Sequence, residues 1–144
     1  MSDSINLFSP NWKFMNNDET VDPVFITGWS FLHAVSGYML ATIAVYLGFN
    51  SFMSVLLFSN IIHFLYEAND YHKMYNTEVG YIGAWSRNSL FNSVGDQLSM
   101  NVGAIIFLLT NNSSVSFNEL AITTTVYLVL FCLFYYSWPI FKIG

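Results

Sequence analysis

Residues 23–66 read PVFITGWSFLHAVSGYMLATIAVYLGFNSFMSVLLFSNIIHFLY, a stretch of 44 positions without Asp, Glu, Lys or Arg. One helix needs about 20 apolar residues to cross a bilayer, so this stretch is long enough for a helical hairpin. Its break falls at Gly48-Phe49-Asn50-Ser51, where Gly and Asn favour a turn. The expected helices are residues 25–47 and 51–68. Further along, residues 97–118 and 120–141 are again uncharged, which places a third helix at 92–110 and a fourth at 118–140. These runs do not alternate as strands would, and four strands could not close a barrel.

Composition agrees with this reading. Hydrophobic residues make up 54% of the 144 positions and charged residues 9%, against roughly 25% charged in a soluble domain. With 19% aromatic residues, four Lys plus Arg and a net charge of −5, the chain is not a soluble domain, a disordered segment, a collagen-like fibre or a nucleic-acid binder. The expected fold is an all-α membrane protein, a single domain built as a bundle of four transmembrane helices. Lys13, Lys73, Arg87 and Lys142 all fall on the side that holds both termini and the loop at 70–91. By the positive-inside rule the N- and C-termini are therefore both cytoplasmic. Trp12, Phe14, Tyr71, Tyr75, Tyr81, Trp85, Tyr135, Tyr136 and Trp138 suit an aromatic belt at that interface.

The first 24 residues are acidic, carry Pro10 and Pro23, and lack the basic start and cleavage site of a signal peptide. Residues 5–15 have the composition of a segment lying flat on the membrane surface. Cys132 is the single cysteine, so no disulfide framework or thiolate metal cage is expected. The sequons at Asn111 and Asn112 sit in a loop so short that they are read as turn residues rather than glycosylation sites.

Polar residues cost free energy in hydrocarbon and face the bundle interior, so they locate the site. Helix one carries Trp29, His33 and Gly37 at spacings of four; helix two carries Asn60, His63, Glu67 and Asp70 on one stripe. On helix three Ser89, Asn92, Ser93, Asp96, Ser99 and Gly103 share a face, with Gln97 and Asn101 on its flank. At about 1.5 Å per residue, His33, His63 and Asp96 reach similar depths in the cytoplasmic half of the bundle. We therefore expect a polar site with His63, Glu67 and Asp96 as the groups capable of acid or base chemistry, and His33, Asn60, Asp70, Asn92 and Ser93 as ligand-binding residues. Asp96 with Ser93 also fits a plain N-cap and first-turn acid, and Gly37 and Gly103 fit close-packing points between helices. No cofactor is required by the pattern. A divalent metal on His33, His63 and Glu67 is the chemical alternative, since His63 and Glu67 stand at i, i+4; three His are too few for a histidine-rich di-iron site.

The order and spacing of these residues resemble an uncharacterised family of small bacterial inner-membrane proteins loosely akin to the VanZ-like proteins. The matching features are His33 followed by Gly37, Glu67 near the end of the next helix, and the Asn92-Ser93, Asp96 pattern with Gly103 beyond it, within HFLYEANDYHKMYNTEVGYIGAWSRNSLFNSVGDQLSMNVGA at 63–104. The central loop differs in having few basic residues where that family is Arg-rich. The resemblance implies a four-helix membrane bundle with a polar site, in a bacterial inner membrane or an equivalent organellar or viral one, and a role with a lipid or lipid-linked headgroup. Membrane lipids are then the expected partners. Two other readings stay open: a non-catalytic subunit or assembly factor of a larger membrane complex, and a channel or proton-coupled transporter, which at this length would need a homo-oligomer to line a pore.

Overall fold

The computed structural model describes the backbone at residues 6–8, 24–26, 28–75, 82–111 and 114–141, and side chains at 25–26, 29–69, 93–111 and 114–134. The described residues are mainly helical and form four helices: α1 (Gly28–Tyr46), α2 (Phe52–Tyr75), α3 (Ile82–Thr110) and α4 (Phe117–Phe141). Two short strands precede them. β1 (Asn6–Phe8) pairs in parallel with β2 (Val24–Ile26), Asn6 opposite Val24 and Phe8 opposite Ile26. Phe25 thus belongs to a strand, not to the first turn of helix one, and β-branched and aromatic side chains at 24–26 suit that geometry. Of the surface-lying segment expected at 5–15, the described part, Asn6–Phe8, is strand; the rest lies outside the described residues.

The hairpin turn sits where the sequence places it. Gly48 takes φ 95°, Phe49 N–H donates to the Ala44 carbonyl and Gly48 N–H to the Val45 carbonyl. This is the Schellman arrangement that ends a helix at a left-handed glycine. Ser51 then caps α2, its hydroxyl accepting from Ser54 N–H at 3.1 Å. At the other end, Ser116 and Glu119 form a reciprocal capping box on α4, with Ser116 N–H donating to Glu119 Oε2 at 2.7 Å and Glu119 N–H to Ser116 Oγ at 3.3 Å.

Two boundaries differ from expectation. α2 continues past residue 68 to Tyr75, and α3 begins at Ile82 rather than near 92. No proline lies between Pro23 and Pro139, so the polar residues 69–75 and 82–91 can continue the helices they adjoin. Asp96 consequently lies about four turns inside α3. The N-cap reading of Asp96 is excluded by that position.

α3 packs between α1 and α2, and α4 touches α1. The α1–α3 contact is made by glycines. A Cβ on Gly37 would lie 1.8 Å from the Met100 carbonyl oxygen, and one on Gly103 would lie 1.7 Å from that of Ala34. Each glycine therefore admits the backbone of the opposite helix, which is how small residues bring helices together in membranes. Gly95 does the same for β2, whose Phe25 carbonyl lies 1.8 Å from its would-be Cβ. Towards the Gly48 end, Ala41, Ala44, Val45, Val55, Ala104 and Phe107 form the apolar core, with Tyr38 edge-on to Phe107. The Tyr38 hydroxyl accepts from Asn111 Nδ2 at 2.9 Å, which engages the amide of the first sequon.

Polar groups are buried beside the apolar core, and many large apolar side chains stand exposed. Ser30, Thr42, Ser59, His63 and Asp96 are buried, while Met53, Leu57, Phe64, Leu109, Ile122 and Leu133 are exposed, Leu109 by 78%. Ser93–Thr110 and Phe117–Phe134 are long and apolar enough to cross a membrane. α2 and α3 are less apolar overall than α1 and α4 because they carry most of the inward polar groups.

Among the described side chains, Ser59 Oγ is buried without a hydrogen-bond partner. Removing an unsatisfied hydroxyl removes its desolvation penalty. Ser59→Ala is expected to leave stability unchanged or raise it by about 1 kcal/mol, read from the unfolding midpoint in bicelles; a loss of that size would show that the hydroxyl is satisfied.

Candidate functional site

Three helices deliver polar side chains to one place, in layers. Nearest the apolar core lies an amide layer. Asn60 Nδ2 donates to the Leu56 carbonyl at 2.7 Å and to Asn101 Oδ1 at 2.8 Å, while Asn101 Nδ2 donates to the Gln97 carbonyl at 2.9 Å and to Asn60 Oδ1 at 3.0 Å. Gln97 Nε2 adds a third link, donating to Asn60 Oδ1 at 2.6 Å.

The next layer is imidazole. His63 Nδ1 lies 2.8 Å from Gln97 Oε1, and His63 Nε2 lies 2.7 Å from His33 Nδ1, the two rings meeting edge to face. The outermost layer is carboxylate. Glu67 Oε1 is 3.8 Å from both His33 Nδ1 and His63 Nε2, and Asp96 Oδ2 is 3.4 Å from His33 Nε2. Ser93 Oγ donates to Glu67 Oε2 at 2.9 Å, and Ser30 Oγ to Asp96 Oδ1 at 2.6 Å. His63 and Asp96 are 2% and 5% exposed, so the groups exchange water for one another, as buried ionisable groups must.

The direction of each amide follows from chemistry. A backbone carbonyl only accepts, so Leu56 requires the NH₂ of Asn60 and the Gln97 carbonyl requires that of Asn101. Asn60 Oδ1 therefore faces Gln97, Gln97 must donate to it, and Gln97 Oε1 is left facing His63. Oε1 only accepts, so His63 carries its proton on Nδ1. His63 Nε2 then points at His33 as a lone pair. This relay runs through residues of α2 and α3 and sets the tautomer of a histidine at the centre.

Of the residues expected at the site, His33, Asn60, His63, Glu67, Ser93 and Asp96 are brought together. Asp70 and Asn92 lie on α2 and α3, but their side chains fall outside the described residues. Ser93 and Asp96 do not share a face as expected. Ser93, Gln97 and Asn101 turn to α2, whereas Asp96, Met100 and Gly103 turn to α1. Ser99 bonds the Gly95 carbonyl of its own helix and takes no part. Sequence reasoning left out Ser30, which stands one turn before His33, and left Gln97 and Asn101 on the flank. Their spacing of four from Ser93 is the signal for that second face.

His33, His63 and Glu67 each offer one donor atom, and these atoms lie within 4.8 Å of one another. They are the described residues suited to hold a metal. Among the described side chains the centre gathers two imidazoles and two carboxylates, a donor set suited to a cation. A concavity of about 410 Å³ lies elsewhere, at the α3–α4 turn between Thr110, Asn111, Ser114, Val115, Ser116 and Glu119, about 20 Å along α3 from Gln97. It is an open surface feature without a cluster of reactive groups. No family model matches this chain, and neither a curated protein nor a solved structure matches it.

Proposed function

We propose that this chain is a four-span integral membrane protein, both termini cytoplasmic, whose internal centre binds a small cationic ligand. The observation that supports it is where polarity falls: charged and polar groups of three helices meet inside, while the outward faces of all four helices carry Phe31, Leu57, Phe64, Leu98, Leu109 and Ile122. Outward apolar faces suit lipid, and ionisable residues turned inward mark the functional site of such proteins. α1 and α2 span on this reading too, their polar residues turned inward against α3 and away from lipid.

The same centre narrows the headgroup reading. Glu67 and Asp96 supply acceptors for an ammonium group, so a lipid ligand here presents an amine. The subunit reading draws on α4, none of whose residues 117–134 is buried, and it locates function on that outer face instead.

Two experiments test the proposal. In a Cys132→Ser background, Asn50→Cys is expected to react with an impermeant thiol reagent from outside, and Lys142→Cys only after the cytoplasmic face is opened. Labelling of both from one side overturns the four-span topology. In a strain lacking the gene, His63→Ala and Asp96→Asn are expected to insert normally and fail to restore the phenotype. Full complementation by both, with loss in Tyr127→Ala, would move function to α4.

A further inference from the structure

Resting on the cation reading, we infer that His33 Nδ1, His63 Nε2 and Glu67 Oε1 form a binding site for a divalent transition-metal ion, with Asp96, Gln97 and Ser93 as its outer supports. The donor atoms lie 2.7, 3.8 and 3.8 Å apart. At metal–nitrogen distances of about 2.0–2.1 Å, two imidazoles on one tetrahedral ion stand about 3.3–3.4 Å apart. The histidine pair thus opens by less than about 1 Å to admit the ion, and both carboxylate contacts shorten.

The second set of contacts distinguishes this from a chance meeting of side chains. Ligating histidines nearly always give their other N–H to a carboxylate or carbonyl, and ligating carboxylates are themselves hydrogen-bonded. Two of the three donors meet that rule by a hydrogen bond, His63 Nδ1 with Gln97 Oε1 and Glu67 Oε2 with Ser93 Oγ, and Asp96 Oδ2, 3.4 Å from His33 Nε2, is placed to serve the third. The amide relay fixes His63 Nε2 as an acceptor, so in the ion-free centre His33 donates to it from Nδ1. Entry of the ion takes the place of that proton. The proton moves to His33 Nε2, where Asp96 accepts it, and no proton leaves the pair. Asp96 is therefore a positioning residue that lets His33 ligate.

Imidazole with one carboxylate suits zinc, cobalt, nickel or iron(II) rather than magnesium or calcium, which prefer all-oxygen sites. Three protein donors leave a tetrahedral position open for water or another ligand.

The test uses the untagged full chain in nanodiscs, stripped with chelator and titrated with cobalt(II) chloride in the presence of millimolar magnesium. One cobalt per chain is expected, with the visible absorption of a four- or five-coordinate ion, displaced by zinc and raising the melting temperature. His63→Ala is expected to abolish this stoichiometric binding, and His33→Gln, which keeps a hydrogen-bonding side chain, to do the same. Asp96→Asn and Gln97→Leu are expected to weaken it about 10–100-fold, with Tyr127→Ala unchanged. Wild-type protein that takes up no cobalt or zinc overturns the inference, as does binding that survives in His33→Gln. Should the protein instead retain an amine-bearing lipid under native mass spectrometry while refusing both metals, the cation reading stands and the metal assignment falls.

Discussion

Gly103→Ala is expected to destabilise the bundle by about 3 kcal/mol or more, measured as the shift in the denaturation midpoint on titration with dodecyl sulfate in bicelles. The added methyl would lie 1.7 Å from the Ala34 carbonyl oxygen and 3.0 Å from Tyr38 N. Both are backbone atoms, so no rotamer change relieves the clash. The helices must separate by more than about 1 Å to reach even the 3.0 Å limit of real Cβ contacts. Gly37 makes the reciprocal contact on Met100, and Gly37→Ala is expected to match it. Separation also pulls Asp96 from His33, now 3.4 Å away, so the polar centre is disturbed from a position seven residues along α3 from Asp96. Gly48→Ala is the comparison. Its φ of 95° disfavours a side chain, yet nothing lies within 4 Å, so only the left-handed backbone cost of about 1–2 kcal/mol applies. Equal, small effects at Gly48 and Gly103 would mean that α1 and α3 are not in backbone contact.

That contact was legible from residue type, since a glycine on each of two polar stripes marks close approach. The turn at Gly48 was legible for the same reason. The start of α3 was not. Ser86, Arg87, Asn88 and Ser89 read as loop because they are polar, but polarity marks where a helix leaves hydrocarbon and not where it ends; without proline the helix runs on. In the site, the spacing of His63 and Glu67 and the matching depth of His33 and Asp96 were enough to bring the cluster together. What spacing cannot supply is a partner. Periodicity puts residues on a face, whereas the assignment of Ser93, Gln97 and Asn101 to α2 and of Asp96 and Gly103 to α1 depends on how α3 is rotated between its neighbours. Gln97 is the clearest loss: an uncharged amide beside an aspartate, it sets the tautomer of His63.

Asn60→Asp is expected to cost about 3 kcal/mol and to lower cobalt affinity at the same time, although it changes one NH₂ to an oxygen. Asn60 uses its whole hydrogen-bonding capacity: two donations, to the Leu56 carbonyl and Asn101 Oδ1, and two acceptances, from Gln97 Nε2 and Asn101 Nδ2. A carboxylate keeps the acceptances and turns the donations into contacts between acceptors at 2.7 and 2.8 Å. The neighbours cannot rotate away. Turning Asn101 would set its oxygen against the Gln97 carbonyl, and turning Gln97 would set its oxygen against Asn60 and its NH₂ against the N–H of His63. A new negative charge would also join those of Glu67 and Asp96 in the same centre. Ser99→Ala, which removes only a bond to the carbonyl of its own helix, is expected to stay within about 0.5 kcal/mol of wild type. Stability and cobalt affinity should fall together in Asn60→Asp, because the amide that ties α2 to α3 also holds Gln97 in the orientation His63 requires. A variant as stable as wild type would show that the amides turn freely and that the His63 tautomer is set by some other group; a variant that loses stability but binds cobalt normally would confine the relay to packing.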